Sequence, residues 1–249
     1  MSNTAFRPIE WISASQTDVG TVRSVNEDSL HVSQESGLWV VADGMGGHEV
    51  GDVASTKIVE ALERVPNIEC LSDYIDAVED ALLAVNQEII EYADVMLDHG
   101  TMGSTLAALV IRGRVGVAIW VGDSRVYRLR NGRLMQLSRD HSQVQEMLRM
   151  GLISAEEAVN HPQSNVITRA IGGEQDLYID LDVFSTQMGD TFLICSDGLY
   201  NAVEDEELIQ CLSERDLEGC ALDMLETSLA HQASDNVTLI VVRGVPAKF

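Results

Sequence analysis

The chain has 249 residues, 45% of them hydrophobic, and a mean hydropathy of +0.03, which predicts a globular protein with a substantial core. Forty acidic against sixteen basic residues give a net charge of −24, which repels phosphate backbones and argues against a nucleic-acid partner. No segment has the apolar length of a membrane span, and residues 1–15 lack a signal-peptide core, so we expect a cytoplasmic protein without membrane partners.

The chain opens with a pattern typical of β-structure. Alternating apolar residues between Ile9 and Ser15 predict a first strand, and a polar turn region runs from Asp18 to Asp28. Residues around Leu30 and Val32 alternate as in a half-buried strand. The apolar run Leu38–Ala42 is its predicted hairpin partner.

Two helices are predicted next. Apolar residues recur at helical spacing from Val50 to Val65, and Pro66 stops that run. A longer helix has an apolar stripe from Ile75 to Met96, and we expect Ser72 to cap its start. Gly100 suits its C-terminal exit.

The remaining pattern is mostly strands, interrupted by an insertion. Strands are predicted at Leu106–Ile111, Val115–Val121, Val126–Arg130, Leu134–Leu137, around Val183, at Thr191–Cys195 and at Val237–Arg243. Helices are predicted at Glu206–Leu212 and Leu217–Ala230. The insertion, at about residues 140–172, carries two short helices that begin at Ser142 and Ser154.

This order of elements predicts the fold class. Strands joined as hairpins, with helices arriving in pairs, favour an α+β architecture of two antiparallel sheets whose outer faces are covered by helices. No repeat, low-complexity tract or linker divides the chain, so we expect a single domain, residues 1–249.

Carboxylates recur at the predicted strand ends. They are Glu27 and Asp28, Asp43, Asp123, Asp197 and Asp235. Any one Asp-Gly pair can simply form a turn, but several carboxylates gathered at one edge raise one another's pKa. Mg²⁺ or Mn²⁺ would relieve this repulsion, whereas the absence of His or Cys at these turns argues against zinc. The four cysteines lack Cys-x-x-Cys spacing and predict reduced thiols.

These carboxylates lie within a series of longer motifs. The motifs are Arg23-Ser-Val-Asn-Glu-Asp28, Val41-Ala-Asp43-Gly-Met-Gly-Gly-His48, Met102-Gly-Ser-Thr-Leu106, Trp120-Val-Gly-Asp123-Ser-Arg125, Asp140-His-Ser142, His161-Pro162, Asn165-Val-Ile-Thr-Arg-Ala-Ile-Gly172, Cys195-Ser-Asp197-Gly-Leu199 and Asp235-Asn-Val-Thr238. In this order, from about residue 13 to 243, the chain resembles the type 2C metal-dependent Ser/Thr protein phosphatases of the PPM family, in their compact bacterial form. The resemblance implies a central β-sandwich flanked by helix pairs, with the insertion as a flap.

The resemblance also implies a set of metal ligands. Asp43 would bridge two Mn²⁺ or Mg²⁺ ions with help from the Gly44 carbonyl, and Asp197 and Asp235 would complete the shell of the first ion. Asp123 resembles a ligand of a weaker third ion.

Three further roles follow from the resemblance. Glu27 and Asp28 would hold metal-bound water, and Arg23 would bind the substrate phosphate. From the residues alone, the preferred interpretation of Arg23 is a surface side chain paired with Glu27 or Asp28. Some family members have a histidine directly after the Asp-Gly pair, where this chain has Met45, so the general acid stays unassigned and is not placed on His48.

The implied function is hydrolysis of phosphoserine and phosphothreonine in proteins by direct attack of metal-activated water. The expected partners are a phosphoprotein and a cognate Ser/Thr kinase, by analogy in signalling that controls protein secretion, and the chain is expected to be a monomer. The alternative is a catalytically weak phosphatase-like module that binds a phosphoprotein or regulates a kinase. Intact Asp43, Asp197 and Asp235 argue against that alternative. The net charge argues against a carboxylate-metal nuclease.

Overall fold

The computed structural model describes residues 8–46, 50–97, 100–159, 161–163 and 165–247. The strands are β1 (Ile9–Asp18), β2 (Asp28–Ser33), β3 (Leu38–Gly46), β4 (Met102–Ser104), β5 (Leu106–Arg112), β6 (Val115–Val121), β7 (Arg125–Arg130), β8 (Arg133–Gln136), β9 (Asp180–Ser185), β10 (Thr191–Cys195) and β11 (Val237–Pro246). The helices are α1 (Gly51–Glu63), α2 (Leu71–Met96), α3 (Gln143–Arg149), α4 (Ala155–Val159), α5 (Asp197–Tyr200), α6 (Asp205–Leu212) and α7 (Leu217–Ala230).

The strands form two sheets in which the paired strands are antiparallel. One sheet has the order β1-β11-β10-β7-β8, and the other has the order β2-β3-β5-β6-β9 with β4 added to the end of β3. The two sheets face each other across a core that includes Trp39, Val41, Phe192 and Ile240. This is the predicted sandwich of antiparallel sheets.

Helices cover both outer faces of the sandwich. Because side chains alternate along a strand, Val41 points between the sheets while Val40 packs against the α1 and α2 side. On the other face, Leu239 and Val241 pack in a cluster with α6 and α7. Each fully buried Leu, Ile or Val contributes roughly 1.5–3 kcal/mol. The α+β class and the four-layer order are therefore confirmed.

Three local features differ from the sequence-based expectation. Ser72 does not cap α2, because the helix begins at Leu71 and the Ser72 hydroxyl donates to Asp73 at 3.1 Å. The three-residue strand β4 and the one-turn helix α5 were not predicted, since neither is long enough to show a period. The short helices of the insertion are confirmed, with Ser142 accepting from the Gln145 amide and Ser154 exchanging hydrogen bonds with Glu157.

The strand register places the functional loops at one end of the sandwich. Asp28 at the start of β2 pairs with Asp43 near the end of β3, and Asp18 at the end of β1 pairs with Val237 at the start of β11. The last residue of β10, Cys195, pairs with β11 as well as with β7. Among the described residues, no helix has both the length and the apolar character needed to cross a bilayer.

Candidate active site

Asp43 lies near the end of β3, opposite Asp28 of β2 and just before the residues that pair with β4. Its amide donates to the Thr105 hydroxyl at 3.2 Å, and its carbonyl accepts from the Thr105 amide at 2.8 Å. The next residue, Gly44, donates its amide to the Glu27 carbonyl at 3.1 Å. A Cβ atom at Gly44 would lie 2.1 Å from the Gly51 carbonyl oxygen, so this backbone approach requires glycine.

Asp28 lies behind the cleft floor, opposite Asp43 in the β2–β3 register. Its Oδ2 accepts a hydrogen bond of 2.8 Å from the fully buried Ser196 hydroxyl. Its Oδ1 is buried without a hydrogen-bond partner. A buried carboxylate oxygen in this condition is costly, and a cation would compensate it.

Asp197 opens α5 immediately after β10. Its Oδ2 accepts from the Asn201 side-chain amide at 3.2 Å, and its Oδ1 is buried without a partner, as in Asp28. Asp123 is 7% exposed and follows Gly122, and its carbonyl accepts from the Tyr200 hydroxyl at 3.1 Å. The short helix α5 therefore links these two carboxylates.

Arg23 and Glu27 occupy the rim of the cleft. Arg23 Nη2 donates to Asp235 Oδ2 at 2.7 Å, so its partner is neither Glu27 nor Asp28, the two alternatives from the sequence. This hydrogen bond and the charge of Asp235 raise the pKa of Arg23. Glu27 Oε1 accepts from the Gly51 amide at the start of α1, at 3.0 Å.

Asn236 organises the loop that carries Arg23 and Glu27, and sequence reasoning did not identify it. Its side-chain amide donates to the carbonyls of Val19 and Val25, both at 2.9 Å, and its Oδ1 accepts from the Glu27 amide at 2.8 Å. Asn236 is only 4% exposed. Its place in the Asp235-Asn-Val-Thr238 motif was the available signal.

The structure brings nearly all predicted site residues to one cleft of about 320 Å³. The described lining consists of Arg23, Glu27, Asp43, Gly44, Met45, Gly46, Thr105, Asp123, Asn165, Ile167, Asp197 and Asp235. Asp28 lies just behind this lining, and His48 lies outside the described residues. His141 accepts from the Gly122 amide through Nδ1 at 3.1 Å and hydrogen-bonds Asp180 through Nε2 at 3.0 Å.

Burial and crowding disfavour the charged forms of these carboxylates. Burial first, and then the charges of Asp28 and Asp197, raise the pKa of Asp43 well above its usual range. Burial is also the largest cause that raises the pKa of Asp28 and of Asp123 to about 6. It raises the pKa of Asp197 to about 7, with Asp123 adding to the effect.

The donor set fits hard divalent cations. The described lining offers carboxylate and carbonyl oxygens without His or Cys, which suits Mg²⁺ or Mn²⁺. Within the described ranges, no three His, Cys, Asp or Glu side chains already stand in the arrangement of a completed metal site. The fit therefore rests on donor chemistry, on the raised carboxylate pKa values and on the unpartnered oxygens of Asp28 and Asp197.

Comparisons with known proteins agree with this geometry. The family model for protein phosphatase 2C matches residues 20–233. The serine/threonine phosphatase stp of Listeria innocua is 38% identical over 235 residues, which cover 91% of this chain and 93% of the relative.

Solved structures agree as well. PppA, a key regulatory component of T6SS in Pseudomonas aeruginosa, aligns with a TM-score of 0.87 and 42% identity, covering 95% of this chain and 99% of PppA. The catalytic domain of the serine/threonine protein phosphatase PstP, in complex with two manganese ions, aligns with a TM-score of 0.86 and 34% identity over 95% of this chain and 99% of PstP's. The resemblance inferred from the motifs is confirmed, and the chain belongs to the protein phosphatase 2C family of serine/threonine phosphatases.

Proposed function

We propose that the chain hydrolyses phosphoserine and phosphothreonine in proteins at the carboxylate cleft, with Mn²⁺ or Mg²⁺ as cofactor. One observation carries the proposal: an open cleft brings four aspartates to one place and puts Arg23 at its rim. A cation site beside a guanidinium matches the charge of a phosphate monoester.

The residues that would hold the metals follow from the donor set. We assign Asp43, the Gly44 carbonyl, Asp197 and Asp235 to two core ions. Asp123 would hold a weaker third ion together with Asp197, while Glu27 and Asp28 would act through water. When bound, such ions lower the pKa of a water nucleophile and neutralise charge on the phosphoryl oxygens.

Arg23 would bind the substrate phosphate. Its guanidinium donates through Nη2 to Asp235, and its side chain is half exposed and belongs to the cleft lining, so a substrate can reach it. A planar fork of donors matches two phosphate oxygens better than a single ammonium does.

A cysteine nucleophile is not used in this reaction. Cys195 is fully buried in β10, and burial raises the pKa of its thiol to about 12, so the reactive thiolate is scarce at neutral pH. Met45, at the position of the histidine in some family members, lines the cleft and has no ionisable proton. The leaving group must therefore receive its proton from another donor.

The substrate is a phosphoprotein, and we propose that the enzyme reverses the action of a cognate Ser/Thr kinase. The 42% identity to PppA, a regulatory component of T6SS, supports a role in signalling that controls protein secretion. We treat residues 1–249 as one phosphatase domain with a flap at about residues 140–172, acting as a monomer in the cytoplasm.

Hydrolysis of phosphopeptides tests the proposal. Phosphothreonine and phosphoserine peptides should release phosphate when Mn²⁺ is present, lose this activity after EDTA treatment, and regain it when Mn²⁺ is added back. A matched phosphotyrosine peptide is the control for substrate class. Phosphate release that is insensitive to EDTA, or the absence of any release with Mn²⁺ or Mg²⁺, would refute the proposed function.

A further inference from the structure

A second cavity of about 320 Å³ lies directly beside the carboxylate cleft. The two cavities share Met45 and Ile167 in their linings, so one opens alongside the other. Ala170, Leu177 and Tyr178 also line this second cavity. We call it the flank groove, and Arg169, Glu174 and Asp176 belong to its lining as well.

We propose that the flank groove binds a residue within two positions of the phosphorylated residue and selects lysine or arginine there. This inference rests on the proposed function, because it places the phosphorylated side chain in the carboxylate cleft. An extended peptide advances about 3.3–3.6 Å per residue, so a groove sharing a wall with the cleft is reached by a near neighbour of the phosphoresidue. The occupant is therefore a segment of the substrate protein.

The apolar surface of the groove suits the stem of a long basic side chain. Tyr178 is 67% exposed and Met45 is 37% exposed, although both are large side chains of a kind that is usually more covered. Lysine and arginine cover apolar surface with their methylene stems while the charged head stays hydrated. The exposed Tyr178 ring also offers a face to a cation.

The charges on the groove favour a positive head group. Glu174 and Asp176 are exposed and belong to the groove lining. The basic residue of this lining, Arg169, is directed towards Asp180, with Nη1 at 3.5 Å from Oδ1. A cationic residue would thus meet two carboxylates, and the net charge of −24 favours the approach of basic segments.

The segment that contributes Ala170 to the groove is hydrogen-bonded to β4, which pairs with the end of β3 that carries Asp43 and Gly44. Ile171 and Ser104 exchange two main-chain hydrogen bonds of 3.0 and 2.9 Å. Ser104 belongs to β4, where it pairs with Gly44, the residue after Asp43. These bonds tie the segment that contributes Ala170 to the groove to the strand that pairs with the end of β3 at the cleft, which favours selection at a fixed peptide position.

Asn86 of α2 hydrogen-bonds the same segment at Gly172 and Glu174. Its side-chain amide donates to the Glu174 carbonyl at 2.9 Å, and its Oδ1 accepts from the Gly172 amide at 2.7 Å. Gly172 has a φ of +89°, and a Cβ there would lie 2.3 Å from Ile89. Glycine is thus needed at position 172 for the bend that precedes Glu174 and Asp176 in the lining of the flank groove.

Phosphothreonine peptides that differ at one position test the proposal. Each peptide carries Lys, Ala or Glu at one of the positions −2, −1, +1 and +2, with alanine at the others, and kcat/KM is measured with Mn²⁺. For the wild-type chain, we expect Lys to exceed Ala at least fivefold at one of these positions, through KM. The double variant Glu174→Gln/Asp176→Asn should remove this preference, and Glu174→Lys/Asp176→Lys should invert it in favour of Glu.

A matched control removes the same charge elsewhere. Asp223→Asn/Glu226→Gln changes two exposed carboxylates on α7, which covers the other sheet, and should keep the Lys preference. Thermal melting of each variant checks that it is folded. Equal turnover of Lys, Ala and Glu peptides by the wild type, or a Lys preference that survives the charge reversal, would overturn the proposal.

The same experiment separates this inference from the proposed function. If the wild type hydrolyses all phosphothreonine peptides equally well, the proposed function holds and the groove assignment fails. If it hydrolyses neither these peptides nor p-nitrophenyl phosphate with Mn²⁺, both fail.

Discussion

Arg23 and Asp235, which are 212 residues apart in the chain, form an ion pair of 2.7 Å between the β1–β2 loop and the turn before β11. Their side chains are 51% and 34% exposed. Solvent screens such a pair, and it contributes at most about 1 kcal/mol to folding. The pair instead brings Arg23, the proposed phosphate-binding residue, into direct contact with Asp235, a proposed metal ligand.

Replacing Arg23 should weaken substrate binding more than it slows the chemical step. We expect Arg23→Ala to raise KM for a phosphothreonine peptide about tenfold with a smaller loss in kcat, because a guanidinium that binds phosphate acts on ground and transition states alike. Arg23→Lys keeps the charge but loses the planar fork of donors. Its KM should therefore lie between those of the wild type and Arg23→Ala.

Steady-state kinetics measure this effect, and thermal melting provides the control. Because the Arg23 ion pair is exposed, the midpoint of Arg23→Ala should lie within a few degrees of the wild-type value. A fall in kcat with unchanged KM would rule out the phosphate-binding role.

The metal-free protein should lose stability as pH rises from about 4 to 7. Burial raises the pKa of Asp197 to about 7 and that of Asp123 to about 6, whereas in the unfolded chain both are near 4. The folded state therefore binds more protons than the unfolded state in this window. Stability must then fall with rising pH until the folded pKa values are passed.

Calorimetry in EDTA from pH 4 to pH 8 measures this slope. Asp197→Asn removes one of the groups with a raised pKa and should reduce the slope, while Glu226→Gln on the exposed face of α7 should leave it unchanged. Mn²⁺ should also flatten the wild-type slope, because a cation stabilises the ionised carboxylates. Parallel pH curves for wild type and Asp197→Asn would contradict the assigned cause.

Asp123 should matter to a weakly held ion. We expect Asp123→Asn to lose the lowest-affinity Mn²⁺ site in a calorimetric titration while the tighter sites remain, and to reduce turnover less than a change at Asp43. The reason is the proposed assignment: Asp123, which follows β6, would hold only the weaker third ion, whereas Asp43 in β3 would hold both core ions. If Asp123→Asn still binds Mn²⁺ at every site found in the wild type, Asp123 is not a metal ligand.

Asn236 should act as a positioning residue. Asn236→Ala deletes three hydrogen bonds that hold residues 19–27, which we expect to cost roughly 2–4 kcal/mol at about 1 kcal/mol per bond. Because this loop carries Arg23, KM should rise together with the loss in stability. Asn67→Ala is the matched control, because the exposed Asn67 side chain also makes hydrogen bonds, with Glu35 and Arg112, but does not belong to the cleft lining. An Asn236→Ala variant with wild-type KM would show that the loop keeps its position without these bonds.

The layers of sheets and helices could be predicted from the sequence because the spacing of apolar residues reflects which faces of an element are buried. The continuous apolar run at Leu38–Ala42 is buried on both faces of β3, and the run Thr191–Cys195 is likewise buried throughout. The ends of elements were less accurate, as with Ser72, because capping depends on local side-chain geometry.

The candidate site was predictable in composition but not in its hydrogen bonds. Repeated Asp-Gly turns indicated which carboxylates matter, and the cleft lining contains five of the six predicted carboxylates. The partner of Arg23 could not be predicted, because Asp235 approaches it only after β1 and β11 have paired. The motif marked the position of Asn236, but its hydrogen-bond partners, like the flank groove, are defined only by the folded structure.

Asp43 provides the most direct test of the metal-dependent cleft. Isothermal titration with Mn²⁺ and single-turnover hydrolysis of a phosphothreonine peptide should be measured on the same preparations of wild type and Asp43→Asn. We predict that the variant melts no lower than wild type in EDTA, because a buried and mutually repelled carboxylate has been removed. It should nevertheless lose tight Mn²⁺ binding and slow by at least about 100-fold. Wild-type Mn²⁺ affinity together with near-wild-type hydrolysis in Asp43→Asn would contradict the account.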